Sequence, residues 1–197
     1  MSKQNRKVEK EDIIKVDIYA KDRKQYRKKL VDYKKNRRVF LGPYAAFYFE
    51  SFETMLGQIQ EMLHIEKGGE KQLVDELNAY NPLVPKGNEL VATLMFEIDE
   101  IKMRQKFLNQ VGGIEENVYI QIKGEKIIGI PEKDVDRTSA EGKASSVQFI
   151  HFPFTKDQII KFMDLSNEVN VGINHAMYNH KTKILDKVRT SLMKDFD

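Results

Sequence analysis

There is no cysteine among the 197 residues of this chain. That absence excludes disulfides, thiolate nucleophiles, cysteine-type structural zinc sites and an iron–sulfur cluster held by the chain's own thiolates. If the protein takes part in redox chemistry, a partner or a metal bound without thiolates must supply the electrons. No apolar run approaches the about eighteen residues of a membrane-spanning helix, and the opening MSKQNRK leads into no apolar segment. Neither a membrane span nor a secretory signal is therefore expected, and the cytoplasm is the expected compartment. The chain also lacks a glycine-rich phosphate-cradling loop, a G-x-S-x-G elbow and an H-E-x-x-H helix. Without cysteine or a serine constellation, a covalent hydrolase is not expected. The four histidines show no ligand spacing, so no metal is assigned and no cofactor is predicted.

Apolar residues make up 41% of the chain, enough for a core. The length suits one domain, or one domain with an extension. The net charge of +3 conceals an uneven distribution. Residues 1–38 hold fifteen Lys and Arg against six Asp and Glu, a net of +9, and the remainder holds eighteen against twenty-four, a net of −6. Such asymmetry points to an acidic partner or to nucleic acid. The basic residues crowd between Lys21 and Arg38, with Tyr19, Tyr26, Leu30 and Tyr33 interleaved at helical spacing. An amphipathic helix with solvated cations accounts for that pattern, and Lys28, Lys29, Lys34 and Lys35 form its expected docking face.

The expected class is α+β, mostly antiparallel, with a helical and hairpin N-terminal part (1–86), a second part (87–183) and a C-terminal helix (184–197), joined in one unit. One or two helices are predicted over 10–34, then a hairpin, 39–41 and 45–50, turned at Gly42-Pro43. Ser51 is the expected N-cap of a helix over 52–66, ended by Gly68-Gly69. A short helix over 72–80 stops at Asn81-Pro82. Strands follow at 90–98, 118–122, 126–130, 147–152 and 169–173, with helices over 99–111 and 157–165, the latter capped by Thr155. A polar loop covers 132–145. Strand–helix–strand, strand, helix–strand is the order of a ferredoxin-like split βαβ unit with one strand to spare.

Several residues are candidates for chemistry. Glu61 and His64 have the Glu-x-x-His spacing of di-iron helix bundles, but such sites need a second motif and two more Glu-bearing helices. On a helical wheel both lie opposite the stripe Phe52, Met55, Leu56, Ile59, Met62, Leu63, as an exposed pair would. Glu66 falls in line with that stripe, where a carboxylate would need Arg37 or Arg38 as a partner. Glu50, pointing inward with Tyr44 and Tyr48, could act in proton transfer or be satisfied by backbone amides. His151, among Phe149, Phe152 and Phe154, reads as a half-buried packing residue, and His175 and His180 flank Tyr178 in a segment that reads as a loop.

The blocks KKNRRV-L-G at 34–42, Phe49-Glu50, T-M-x-x-Q-x-Q-E-M-L at 54–63, AYNPL-x-P at 79–85 and His175-x-x-Tyr178 resemble a bacterial family known only as a domain of unknown function. The resemblance spans nearly the whole chain. It departs at His64, Gln148 and Asn174, where arginine, histidine and aspartate are common. Genes of that family often lie beside a rubrerythrin and an iron–sulfur oxidoreductase, which implies an accessory role in peroxide or electron transfer and a redox protein as partner. The polar residues matching the family are Arg37, Arg38, Glu50, Gln58, Glu61, Tyr80, Asn81, His175 and Tyr178, a mixture suited to a buried network or to a small anionic ligand. Three readings follow: a non-catalytic accessory protein docking on a redox partner; a nucleic-acid-binding module using the 21–38 helix; and an enzyme or metal-binding protein with a site among Glu50, Glu61, Glu66, His175 and Tyr178.

Overall fold

The computed structural model describes residues 4–132, 138–139 and 142–197, so parts of the polar loop expected over 132–145 lie outside the described residues. A 3-10 turn at Lys10–Asp12 precedes helix α1 (Val16–Lys34), whose Tyr19, Arg23, Tyr26, Leu30 and Tyr33 are spaced alternately four and three apart, the spacing that keeps one helix face on a partner. A short 3-10 turn leads into the hairpin β1 (Arg38–Leu41) and β2 (Ala45–Phe49). Helix α2 (Phe52–Glu66) starts at Ser51, whose hydroxyl accepts from the Thr54 amide while the Thr54 hydroxyl accepts from the Ser51 amide. That reciprocal cap satisfies two backbone donors that the first turn leaves open. Lys67 ends the helix in the left-handed region at φ 55, and α3 (Gly69–Tyr80) turns back along α2.

The second half supplies β3 (Glu89–Phe96), α4 (Ile101–Leu108), β4 (Val118–Ile122), β5 (Glu125–Ile128), β6 (Ile130–Pro131), β7 (Val147–Pro153), α5 (Lys156–Met163), β8 (Val169–His175), β9 (Tyr178–Lys183) and α6 (Asp186–Leu192). The class is α+β and all strand pairs are antiparallel. The strands do not form one ferredoxin-like sheet, however. They divide into a five-stranded sheet, β1-β2-β3-β7-β6, and a four-stranded sheet, β5-β4-β8-β9. The cause is edge competition. The β1–β2 hairpin occupies the free edge of β3, and β9 occupies that of β8, so each half of the expected unit has its own neighbours. The five-stranded sheet thus joins strands from both sides of residue 86.

Strand alternation sorts the side chains into two cores. Phe47 and Phe49 of β2, Leu90, Ala92 and Leu94 of β3, and Ile150 and Phe152 of β7 share one core with Val118, Ile120 and Ile122 of β4 and Val169, Val171 and Ile173 of β8. The opposite face of the five-stranded sheet carries Val91 and Phe149, which pack with Met55, Ile59 and Leu63 of α2 and with Leu73 and Leu83. The helical layer covers only part of that face: Phe40 on β1 remains 60% exposed. Phe196 meets Phe154 and Phe162 edge to face, with ring centroids 4.9 and 5.5 Å away.

Arg189 on α6 illustrates how polar groups are handled in this interior. Its guanidinium is buried and has no carboxylate against it among the described residues; it donates instead to the carbonyls of Phe162, Asn167, Asp164 and Lys161, the last three at 2.5, 2.7 and 3.2 Å. These are orphan acceptors at and beyond the end of α5, where the helix dipole also favours a cation. Replacing Arg189 by Met should leave them unsatisfied and lower the stability by about 3 kcal/mol, read as a drop in the urea midpoint with unchanged slope. Arg189→Lys should recover only part of this, because one ammonium cannot match the planar fork.

Candidate functional site

Where α2 and α3 stop short of covering the five-stranded sheet, a cleft of about 350 Å³ opens. Four of the sequence-derived candidates line it: Arg37, Glu50, Gln58 and Tyr80, together with Lys34 from the expected docking face. Tyr48, Thr54 and Thr93 add polar groups, and Met55, Leu83, Met95 and Phe149 make the walls apolar. Gln58 and Tyr80 face each other across α2 and α3, with the amide 3.4 Å from the phenol oxygen.

Arg37 is 1% exposed, and its donors serve the fold. Nε donates to the Phe49 carbonyl at 2.9 Å, Nη2 to the Glu50 carbonyl at 2.8 Å and to the Asp195 carboxylate, and Nη1 to the Ser191 carbonyl at 3.2 Å. Burial drives the Asp195 pKa up to about 6, against the pull of Arg37. Glu50, just past the end of β2, is 7% exposed. Its amide continues the ladder by donating to the Val91 carbonyl at 2.7 Å, which turns its carboxylate toward the start of α2. There one oxygen accepts from the Thr54 hydroxyl at 2.5 Å and the other from the Thr93 hydroxyl at 2.6 Å. Tyr48 joins Glu50 at the cleft, whereas Tyr44 lies in the other core against Phe107 and Tyr178.

The remaining candidates are distributed elsewhere. Arg38 lies on the open sheet face over the rings of Phe40 and Tyr48, 4.1 and 4.8 Å from their centroids, and pairs with Glu97 at 2.6 Å. Burial and the bond to Glu97 push the Tyr48 phenol up to about 12. Glu61 and His64 are not the exposed pair that the helical wheel suggests, because α1 packs on that face of α2. Glu61 accepts from the Tyr19 hydroxyl at 2.5 Å and from Arg23 at 2.8 and 3.0 Å; Arg23 holds its carboxyl below the usual carboxylate range, and the Tyr19 phenol is pushed up by burial and by Glu61. Glu66 pairs with neither Arg37 nor Arg38. It sits exposed at the far end of α2, about 20 Å along the axis from the helix start, and accepts from Gln72 at 3.0 Å.

Asn81 binds the backbone of Val8 in both directions, at 2.7 and 3.0 Å, and so holds the N-terminal segment. His175 and Tyr178 do not meet the cleft. The segment read as a loop is a strand turn: His175 pairs with Tyr178 across the β8–β9 hairpin. Both His175 nitrogens are used, Nε2–H donating to the Gly112 carbonyl at 3.3 Å and Nδ1 accepting from the Met177 amide at 3.2 Å. The Tyr178 hydroxyl donates to the Leu41 carbonyl at 2.5 Å and accepts from the Ala45 and Tyr44 amides at 3.0 and 3.2 Å, which closes the β1–β2 turn. Gly42 in that turn has φ +60, and a Cβ there would lie 2.7 Å from Tyr178 and His180. Among the described residues no three His, Asp or Glu side chains cluster so as to hold a metal ion, and no helix is long and apolar enough to cross a membrane.

The four lysines of the expected docking face point in different directions. Lys29 lines a groove between α1 and α2, Lys34 lines the cleft, and Lys35 pairs with Asp32 at 2.7 Å. Lys28 instead continues an exposed row with Lys21 and Lys24 along the outer side of α1. Sequence reasoning missed Thr54, Thr93 and Asp195: the last two have no motif around them, and Thr54 opens the block at 54–63 without being singled out for chemistry. Only the pairing of Glu50 with Thr54, one helical turn apart at a helix start, offered a local signal.

His151 is not a simple packing residue. Its ring lies between Glu89, 3.0 Å from Nδ1, and Glu132, 2.7 Å from Nε2. Burial lowers its pKa, but the two carboxylates outweigh burial and set it above the ordinary value. A raised folded pKa means that the stabilisation from the imidazolium is complete below about pH 6.5 and is lost as pH rises through the folded value. Thermal melts of the parent protein should therefore decline across that interval relative to His151→Gln, whose profile should stay flat there.

A helix-capped, two-sheet α+β protein with a polar-floored cleft is thus the class that fold and site define. The chain belongs to the family of proteins of unknown function DUF3501, whose model matches residues 7–196. It is similar to a novel protein of unknown function from Burkholderia pseudomallei K96243, known from a crystal structure: 32% identity over 96% of this chain and 99% of that one, with a TM-score of 0.89. No curated protein matches it.

Proposed function

We propose that this chain is a non-catalytic accessory module that docks on an acidic protein surface through the outer side of α1. One observation carries this reading: the inner side of α1 is fixed to α2 by Tyr19, Arg23 and Tyr33, while Lys21, Lys24 and Lys28 stand exposed in a row without a salt bridge among the described residues. Exposed Ile18 and Val31, at 46% and 55%, lie beside that row. Lysines mixed with apolar side chains suit a protein interface, whose apolar centre excludes water while charges steer the encounter. The interleaved Asp17, Asp22 and Asp32 favour a protein over a continuous phosphate backbone. The cytoplasmic redox character of the partner, a rubrerythrin-like protein or an iron–sulfur oxidoreductase in a peroxide or electron-transfer system, rests on the family resemblance. It accords with a chain that lacks thiolates of its own.

The test is affinity capture from nuclease-treated native lysate at physiological salt, read by mass spectrometry, with the parent protein and a Lys21→Glu/Lys24→Glu/Lys28→Glu variant. The parent should recover one acidic redox protein in stoichiometric amount, and the variant should bind it about tenfold or more weakly while keeping its circular dichroism and melting temperature. Undiminished capture by the variant would sink the docking face. Binding that survives only without nuclease, and falls steeply with salt, would replace this reading with the nucleic-acid one.

A further inference from the structure

The floor of the cleft holds a buried carboxyl group with no cation in salt-bridge contact among the described residues. Glu50 is 7% exposed, and its carboxylate is met by the Thr54 and Thr93 hydroxyls, with no cation in salt-bridge contact among the described residues. The neighbouring Arg37 does not fill that role: it bonds the backbone carbonyl of Glu50 and gives its charge to Asp195. Lys34 lines the same cleft but forms no salt bridge to Glu50 among the described residues. An ionised carboxylate accepts about four hydrogen bonds, and two hydroxyls leave half of that capacity open. A buried charge is retained when a countercharge meets it, and here the open lone pairs adjoin about 350 Å³ of space walled by Met55, Leu83 and Phe149.

We infer that this cleft binds a small organic amine, its ammonium on Glu50 and its apolar body against the methionine, leucine and phenylalanine walls. Three donors suit an ammonium to the open carboxylate sites. An anionic ligand, which the mixture of Arg, Glu, Gln, Tyr and Asn also suits, is disfavoured because Arg37 spends four of its five N–H donors on the fold and the floor presents the Glu50 carboxylate. The inference is independent of the docking face on α1, since Lys21, Lys24 and Lys28 do not line the cleft.

Full-length protein is titrated with phenethylamine and cadaverine, each beside its neutral counterpart, 2-phenylethanol and 1,5-pentanediol, following the melting temperature and the amide resonances of Glu50, Thr54 and Thr93. The amines should bind about tenfold more tightly than the alcohols, shifting those three resonances. Glu50→Gln, which keeps both threonine bonds possible, should erase that preference, and Lys34→Ala should tighten amine binding by removing a like charge. Equal binding of amine and alcohol, no response to either amine, or amine binding undiminished in Glu50→Gln would each overturn the inference. Should Glu50→Gln fail to fold, the amine–alcohol comparison and Lys34→Ala still decide it.

Discussion

The rest of the structure depends on the Arg37 guanidinium. It lies in a short turn between α1 and β1, it is almost completely buried, and it bonds the carbonyls of Phe49 and Glu50, the Ser191 carbonyl and the Asp195 carboxylate. One planar group thereby aligns the end of β2, the entry to α2 and the C-terminal turn. Lysine could not do this, since a single ammonium lacks the rigid fork that reaches four acceptors in one plane. The position of Glu50 follows from it: with its backbone carbonyl held by Arg37 and its amide by Val91, the carboxylate has no direction left but toward Thr54, Thr93 and the cleft.

Two arginines with the same degree of burial therefore serve two solutions to one electrostatic problem. Arg37 is compensated by a carboxylate, Arg189 by backbone carbonyls alone. Glu50 uses a third solution, hydroxyl donors with no countercharge in contact among the described residues. That difference separates the two arginines, which brace the fold, from Glu50, whose carboxylate has bonding capacity left over beside a cleft.

Much of the local structure was legible in the sequence because it depends on nearby residues. The bounds of α2 follow from the Ser51 cap at one end and the glycines after Lys67 at the other, and the first hairpin follows from Gly42-Pro43. What failed were inferences that need a partner from far along the chain. The polar side of α2 looks solvated on a helical wheel, yet α1 covers it with Tyr19 and Arg23. β9, YNHKTK, carries no apolar alternation and reads as a loop; its pairing comes from the β8 backbone and from Tyr178. The division into two sheets was invisible for the same reason, since strand order alone does not say which edge each neighbour takes. Of the candidate site, Arg37, Glu50, Gln58 and Tyr80 do converge, whereas Glu61, Glu66, Asn81, His175 and Tyr178 are each engaged elsewhere.

The bond between Arg37 and Asp195 spans 158 positions of sequence, and that between Tyr178 and Leu41 spans 137. A ribosome adds residues in one direction, so the first hairpin emerges long before the groups that close its turn and neutralise its arginine. Until residue 195 is available, the guanidinium that Asp195 meets stays hydrated, and until residue 178 is available the hairpin turn lacks the hydroxyl that closes it. The first hairpin is thus finished by groups made more than a hundred residues after it.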